Sequence, residues 1–358
     1  MKIRDYLQVL VDKGGSDLHL KAGGPAFIRV DGDLNEVNDL PWLHPEDTEA
    51  MALEVLGGRA LEAYNRGQEA DAAYSVSGLG RFRVAVFKQR GSTGLVLRKV
   101  SVGNQSFAEL GLPPVCRAMA EEHRGLVLVT GPTGSGKTTT TAAMLGHINA
   151  SRRAHVVTLE DPIEILHRDN LSIIDQREIG VDTENFTTGL RSVARQDPDV
   201  IFIGEMRDVE TVTAALQAAE TGHFVLSTLH TTNATETVNR ILDMFPPHQQ
   251  GQARLSLANA LKGIVCQRLV PQVDGGRVAV LETFVMTQRL YEFVADPEKT
   301  EDIGDAIAEG AYYGMQTFDQ HLLELYASGR INLRDALAAS TSPHDFKINV
   351  RAAGLPVA

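Results

Sequence analysis

LVLVTGPTGSGKTTTT, residues 126–141, joins an apolar burst to a helical stretch through a glycine-rich turn. Gly131, Pro132, Thr133, Gly134, Ser135, Gly136, Lys137 and Thr138 fit the pattern GxxxxGK(S/T), and Thr139 carries the turn into the helix TTTTAAMLGHIN. A strand before and a helix after are the context this phosphate loop requires. The glycines let backbone N–H groups turn inward on phosphates, and the helix N-terminus adds partial positive charge. Lys137 is placed to reach the β- and γ-phosphates, and the Thr138 hydroxyl can ligate Mg²⁺. ATP and Mg²⁺ are the ligands expected here.

Working outward, apolar bursts of four to six residues alternate with helical segments from about residue 113. The bursts are LVLVT, HVVTLE, VIFIGE, HFVLSTLH and VAVLETF. That alternation predicts βαβ units and a mostly parallel sheet. Ligands of such sheets sit at the carboxyl ends of the strands, so the residues that close the strands matter. HVVTLEDPIE brings Glu160, Asp161 and Glu164 to the rim, DPDVIFIGE brings Glu205, and HFVLSTLH brings His230. Glu205 stands where a nucleotide-binding strand usually closes with a metal-linked Asp. It can hold a Mg²⁺-bound water or orient the attacking water, and Glu160 and Glu164 compete for the second role. His223 and His230 flank one strand and lie roughly 23 Å apart at ~3.3 Å per residue. Only His230 is expected at the nucleotide, as a γ-phosphate sensor.

The remainder of the chain bounds the reading. It has 358 residues, 43% of them apolar, and a net charge of −12, which argues against a protein that coats nucleic acid. Its two cysteines, Cys116 and Cys266, cannot build a disulfide framework or a four-ligand zinc site, and a reducing cytosolic setting fits them. No apolar run approaches the roughly 18 residues that span a bilayer. Residues 1–100 read as a small α+β unit with a first helix (IRDYLQVLVDKGG), strands in SDLHL, AFIRVDG, EADAAYSV, RFRVAVFKQ and TGLVLRKV, and a helix from about Glu46 to Tyr64. Residues 101–113 read as a linker, 114–290 as the nucleotide-binding domain, 291–345 as a helical region and 346–358 as a polar tail.

Several arginines lack a local reason. Arg191 and Arg195 are four apart and are expected on one helical face, and Arg207 follows Glu205 closely. Arg81 and Arg83 share a strand face by the period of two, with Arg98 on a neighbouring strand. A pocket with one lysine is short of positive charge for a triphosphate in its transition state, and arginines from the first domain or a neighbouring subunit would supply it.

GPTGSGKTTT, TLEDPIE, RQDPDVIFIGEMRDVET and AAETGHFVLSTLHTTNA together resemble the secretion-type ATPase superfamily, which powers type II secretion and type IV pili. They match its Walker A loop, Asp box, atypical Walker B and His box. The resemblance covers roughly residues 1–285 and implies an α/β fold: a RecA-like P-loop domain with a mostly parallel sheet, preceded by a small α+β PAS-like domain. It also implies a homo-hexamer, cytoplasmic and peripheral at the membrane, in which the first domain leans on a neighbour. Arg83 and Arg98 match the family's phosphate-reaching arginines, and Arg191, Arg195 and Arg207 its later set. CQRLVPQVDGGRVAVLETF lacks the four-cysteine zinc insert of extension and secretion ATPases, and GMQTFDQHLLELYASGRI is similar to PilT-type retraction ATPases. Where that branch carries AIRNLIRE, this chain has TQRLYEFVAD. The implied work is type IV pilus retraction and twitching motility, with an inner-membrane pilus platform protein and other pilus ATPases as partners. The alternatives are a pilus-assembly or type II secretion ATPase without the insert, and, from another class, a RecA-like nucleic-acid motor.

Overall fold

The structure, a computed structural model, describes residues 2–357 and divides into two compact units, Met1–Val102 and Gly103–Ala358. In the first, helix α1 (Ile3–Asp12) buries Ile3, Tyr6, Leu7 and Leu10, the i, i+3, i+4, i+7 stripe of an amphipathic helix. Strands β1 (Asp17–Lys21), β2 (Ala26–Val30), β3 (Asp33–Val37), β4 (Ala70–Val76), β5 (Gly80–Gln89) and β6 (Ser92–Lys99) form an antiparallel sheet in the order β3-β2-β1-β6-β5-β4. One face is apolar, with Leu18, Leu20, Ile28, Phe82, Val84, Leu95 and Leu97 in a shared core. β3 was not expected: DLNEV buries only Val37 and so lacks an alternating apolar signal. The single helix expected from Glu46 to Tyr64 is two, α2 (Pro45–Val55) and α3 (Gly58–Asn65), because Gly57 and Gly58 break the chain between them. A two-residue strand, β7 (Ser101–Val102), ends the unit.

The second unit begins with α4 (Phe107–Leu110) and α5 (Pro114–Ala120). The stretch read as a linker thus holds a short helix, closed by a Ser106–Glu109 capping box. There follow β8 (Gly125–Thr130), α6 (Lys137–Ser151), β9 (His155–Glu160), β10 (Ile165–Leu166), β11 (Ile173–Glu178), α7 (Phe186–Val193), β12 (Val200–Ile203), α8 (Val209–Glu220), β13 (Phe224–Leu229), α9 (Ala234–Asp243), α10 (Pro247–Ala260), β14 (Leu261–Pro271) and β15 (Arg277–Val285). The seven-stranded sheet runs β11-β9-β12-β13-β8-β14-β15, parallel throughout except for the last pair. Strands β8, β12 and β13 are buried along their whole length, the continuous apolar pattern of a sheet covered on both faces.

Helices α11 (Gln288–Ala295), α12 (Ile303–Ala308), α13 (Phe318–Ala327), α14 (Leu333–Ala339) and α15 (Pro343–Ala352) complete the unit. Leu290, Ile307, Leu322, Phe346 and Val350 join the same hydrophobic cluster as Leu126, Val157 and Ile203. The helical region shares the sheet's core. The expected tail boundary at residue 346 falls inside α15, whose Phe346 is fully buried.

Candidate nucleotide site

The loop between β8 and α6 has the shape its glycines predict. Gly131, Gly134 and Gly136 all have positive φ. A Cβ on Gly131 would sit 2.4 Å from the Gln267 carbonyl oxygen, and one on Gly136 would sit 2.7 Å from the Gln267 side-chain nitrogen. Helix α6 starts with no side-chain cap. By contrast α7, α8 and α9 are capped by Asn185, Asp208 and Asn233. The first N–H groups of α6 have no intrahelical acceptor, so this helix alone among the four leaves its dipole end for an anion. The buried Ser135 hydroxyl also has no hydrogen-bond partner among the described residues. The loop fits a phosphate chain.

Gln267, on β14, fixes the loop from behind. Its side-chain N–H donates to the Ser135 carbonyl at 2.7 Å, and its side-chain oxygen accepts from the Thr140 hydroxyl at 2.7 Å. β14 was not expected from sequence. It follows Ala260, the last residue of α10, with no turn or breaker between, so nothing in the sequence marks where the helix stops.

A cavity of about 550 Å³ opens over the loop, lined by Lys137, Thr138 and Thr139 together with Glu160, Glu164, Glu205, Arg207 and His230. The structure therefore gathers residues from four separate strand ends. Glu205 is held in place on both sides. The Thr228 hydroxyl donates to the Gly204 carbonyl at 2.7 Å, the Gly204 N–H donates to Leu159, and Asp208 caps the helix that follows. One Glu205 oxygen lies 3.3 Å from His230 Nε2, and the other accepts from Arg207 Nε at 2.8 Å. Lys137 Nζ donates to the carbonyls of Gly131 and Pro132 and lies 3.4 Å from His230 Nδ1. A lysine ammonium on Nδ1 places the imidazole proton on Nε2, facing Glu205. Burial lowers the Lys137 pKa below its ordinary value, and the charges of Glu205 and Glu164 oppose that shift. Arg207 also lies 3.6 Å from Asp161.

Glu160 is placed differently. It is only 8% exposed, and one of its oxygens accepts from both the Thr158 hydroxyl and Gln176. Burial raises its pKa, more than those hydrogen bonds lower it. Glu164 is exposed at the cavity wall.

The other candidates fall elsewhere. His223 stands at the opposite end of β13 from His230, bonded to the Ala218 carbonyl. The shared helical face expected for Arg191 and Arg195 is not formed. Helix α7 ends at Val193, because Asp197 takes a positive φ and Pro198 follows, and Arg195 lies in the turn between. Both are exposed, and neither lines the cavity. Arg83 and Arg98 lie in the first unit, directly opposite one another on β5 and β6. Among the lining residues not anticipated are Phe186, Leu269 and Arg277. The last two come from the unexpected β14 and its hairpin partner, so recognising that strand was the signal that could have found them.

The sequence model of the type II/IV secretion system protein family matches residues 5–336. The type IV pilus retraction ATPase PilT of Pseudomonas aeruginosa is 40% identical over 97% of this chain and 100% of its own length. A twitching motility protein of Neisseria gonorrhoeae is 41% identical over 85% of this chain and 81% of its own. A crystal structure of the pilus retraction motor PilT with bound ADP superposes with a TM-score of 0.88, at 42% identity, covering 96% of this chain and 98% of that one. With the phosphate loop, the acidic rim and near-complete coverage in agreement, the chain belongs to the type II/IV secretion system protein family, as a PilT-type ATPase.

Proposed function

We propose that this chain is a ring-forming motor that hydrolyses ATP to drive type IV pilus retraction. The observation that carries this reading is the contact of Lys137, His230 and Glu205 at the mouth of the phosphate loop. It joins the group that binds the triphosphate to the group best placed to act on water. In this reading the loop N–H groups and Lys137 hold the β- and γ-phosphates. Glu205 orients the attacking water and takes up its proton. His230 registers the presence of the γ-phosphate, and its Nε2–H passes that information to Glu205. Arg207 keeps the Glu205 carboxylate from swinging away. Thr138 and Glu205, an oxygen-donor set that suits a hard divalent cation, would hold Mg²⁺, which neutralises phosphate charge when bound. Arg83 and Arg98 act on the nucleotide of a neighbouring subunit in a homo-hexamer, so that hydrolysis is coupled to movement of one subunit against the next. The resulting force is delivered to a pilus platform protein at the inner membrane, from its cytoplasmic side. The absence of a helix long and apolar enough to cross a membrane, among the described residues, is compatible with that placement.

The test is a deletion strain complemented with the wild-type chain or with Lys137→Ala and scored for pilus number and ATP turnover. Excess pili that fail to retract, rescued only by the wild-type chain, are expected. Cells without pili would assign the motor to assembly.

A further inference from the structure

Asp17 opens β1, and its direct cross-strand neighbours are Arg29 on β2 and Arg98 on β6. Arg98 is in turn opposite Arg83 on β5. Residues directly opposite one another in a sheet project from the same face, so Arg29, Asp17, Arg98 and Arg83 form one row across four adjacent strands. The row lies on the face away from the apolar core, since Leu18, Ile28, Phe82, Val84 and Leu97, their sequence neighbours, fill that core. Like charges set directly opposite destabilise a sheet. Arg98 opposite Arg83 is such a pair, and Asp17 stands on the other side of Arg98 as its counter-charge.

Asp17 is 4% exposed, whereas the Arg98 side chain is 67% exposed. Arg98 donates through Nε to one Asp17 oxygen at 2.7 Å, and the Ser16 hydroxyl donates to the other at 2.7 Å. Arginine–carboxylate pairs are frequently bidentate. Here the carboxylate grips only Nε, and the two terminal amino groups of Arg98 make no hydrogen bond among the described residues. Burial alone would raise the Asp17 pKa, but the hydrogen bonds from Ser16 and Arg98 and the charge of Arg98 hold it below the usual carboxylate range. Arg29 differs, since it is tied to the Gly32 carbonyl of its own hairpin at 2.6 Å.

We propose that Asp17 is a positioning residue: it holds Arg98 by Nε so that the two terminal amino groups face outward as a bidentate donor to a phosphate of the nucleotide on a neighbouring subunit. The inference rests on the reading of Arg98 as a donor in trans. Lys88, by comparison, has its ammonium occupied by Glu49, Tyr64 and Thr93 and has nothing left to offer a ligand.

The experiment is a double-mutant cycle on purified rings, reading kcat, ATP affinity and melting temperature for Asp17→Ala, Asp17→Asn, Arg98→Ala and the combination of Asp17→Ala with Arg98→Ala. Asp17→Ala is expected to lower kcat by about 10²-fold, the cost of misplacing a reacting group, with ATP affinity little changed because the phosphate loop is intact. Asp17→Asn keeps a neutral acceptor for Nε, folds, and recovers part of kcat. In the Arg98→Ala background, Asp17→Ala should lower kcat no further. A full additional loss in that background would make Asp17 a structural residue and overturn the proposal. So would normal turnover in Asp17→Ala beside an inactive Arg98→Ala. Normal turnover in Arg98→Ala itself would instead defeat the underlying reading of Arg98.

Discussion

The rim of the parallel sheet and the outer face of the antiparallel sheet both set arginine beside acid, in opposite proportion. At the rim, Glu160, Asp161, Glu164 and Glu205 stand beside Lys137, Arg207 and Arg277, and Arg207 is engaged by Glu205 and Asp161. In the row across the first unit, Arg29, Arg98 and Arg83 line up with Asp17, which bonds Arg98. An acidic rim suits a cation and a water that must lose a proton, but it offers little positive charge to a triphosphate whose charge spreads during transfer. The basic row has that charge and no phosphate loop. Each region holds what the other lacks, which is what the proposed completion of the site between subunits rests on.

The sharpest way to break this comparison is to separate its halves onto different chains. Subunits carrying Arg83→Ala with Arg98→Ala should lose roughly 10³–10⁵-fold in turnover, the usual worth of an arginine supplied in trans. Subunits carrying Lys137→Ala should be inactive as well. Mixed rings contain some interfaces with an intact loop and intact arginines, so part of the activity should return. No recovery in rings shown by mass to contain both variants would mean that the arginines act within their own chain.

The acidic half can be tested alone. Glu205→Gln should still bind ATP and should lose about 10²–10⁴-fold in kcat, the range for removing a general base. Single-turnover assays with trapped nucleotide would check this. Normal turnover in Glu205→Gln beside an inactive Glu164→Gln or Glu160→Gln would move the base to the Asp box.

The two regions were not equally legible in the sequence. The rim was read well because parallel strands are continuous apolar runs and their ends are marked by acid, imidazole or glycine within a few residues. Glu160, Glu164, Glu205 and His230 all line the cavity for that reason. The row was only half visible. Arg83 and Arg98 were singled out from sequence, but Asp17 lies 81 residues from Arg98, and Arg29 sits in a short strand whose pairing only the fold reveals. Gln267 and Arg277 were hidden for a third reason, the direct passage of α10 into β14 without a breaker. Arg195 was misplaced because i, i+4 spacing was read through Val193, where the turn to Asp197 and Pro198 ends the helix.

Gln267 offers a smaller test on the rim's side. Gln267→Leu leaves the Ser135 carbonyl and the Thr140 hydroxyl buried and unsatisfied, at about 1–3 kcal/mol for each group. The loop should lose its shape for phosphate, and ATP affinity should fall on the order of 10-fold or more. Thr140→Val, which removes one of the two bonds, should show a smaller loss by nucleotide titration. Affinity unchanged in both variants would mean that the glycines hold the loop without help from β14.

The mildest effect should come from Glu160, and it separates burial from catalysis within the acidic rim. Burial raises its pKa above the ordinary carboxylate value, and the opposing hydrogen bonds from Thr158 and Gln176 do not cancel that shift. A carboxyl with a higher pKa in the folded chain than in the unfolded chain stabilises the fold fully only below the unfolded value of about 4.3. That contribution is lost as pH rises through the folded value. Above the unfolded value the raised pKa therefore works against the fold. Glu160→Gln removes the charge and keeps an oxygen for Thr158 and Gln176. Its melting temperature without nucleotide should exceed wild type by on the order of 2 °C at pH 8, and the gap should close as pH falls towards the unfolded value of about 4.3. A variant that is less stable than wild type at pH 8 would show that the ionised carboxylate is held by more than its two donors. If the stabilised variant also keeps its turnover, Glu160 shapes the rim without handling the proton, and Asp161, Glu164 and Glu205 remain as the acidic groups at the cavity.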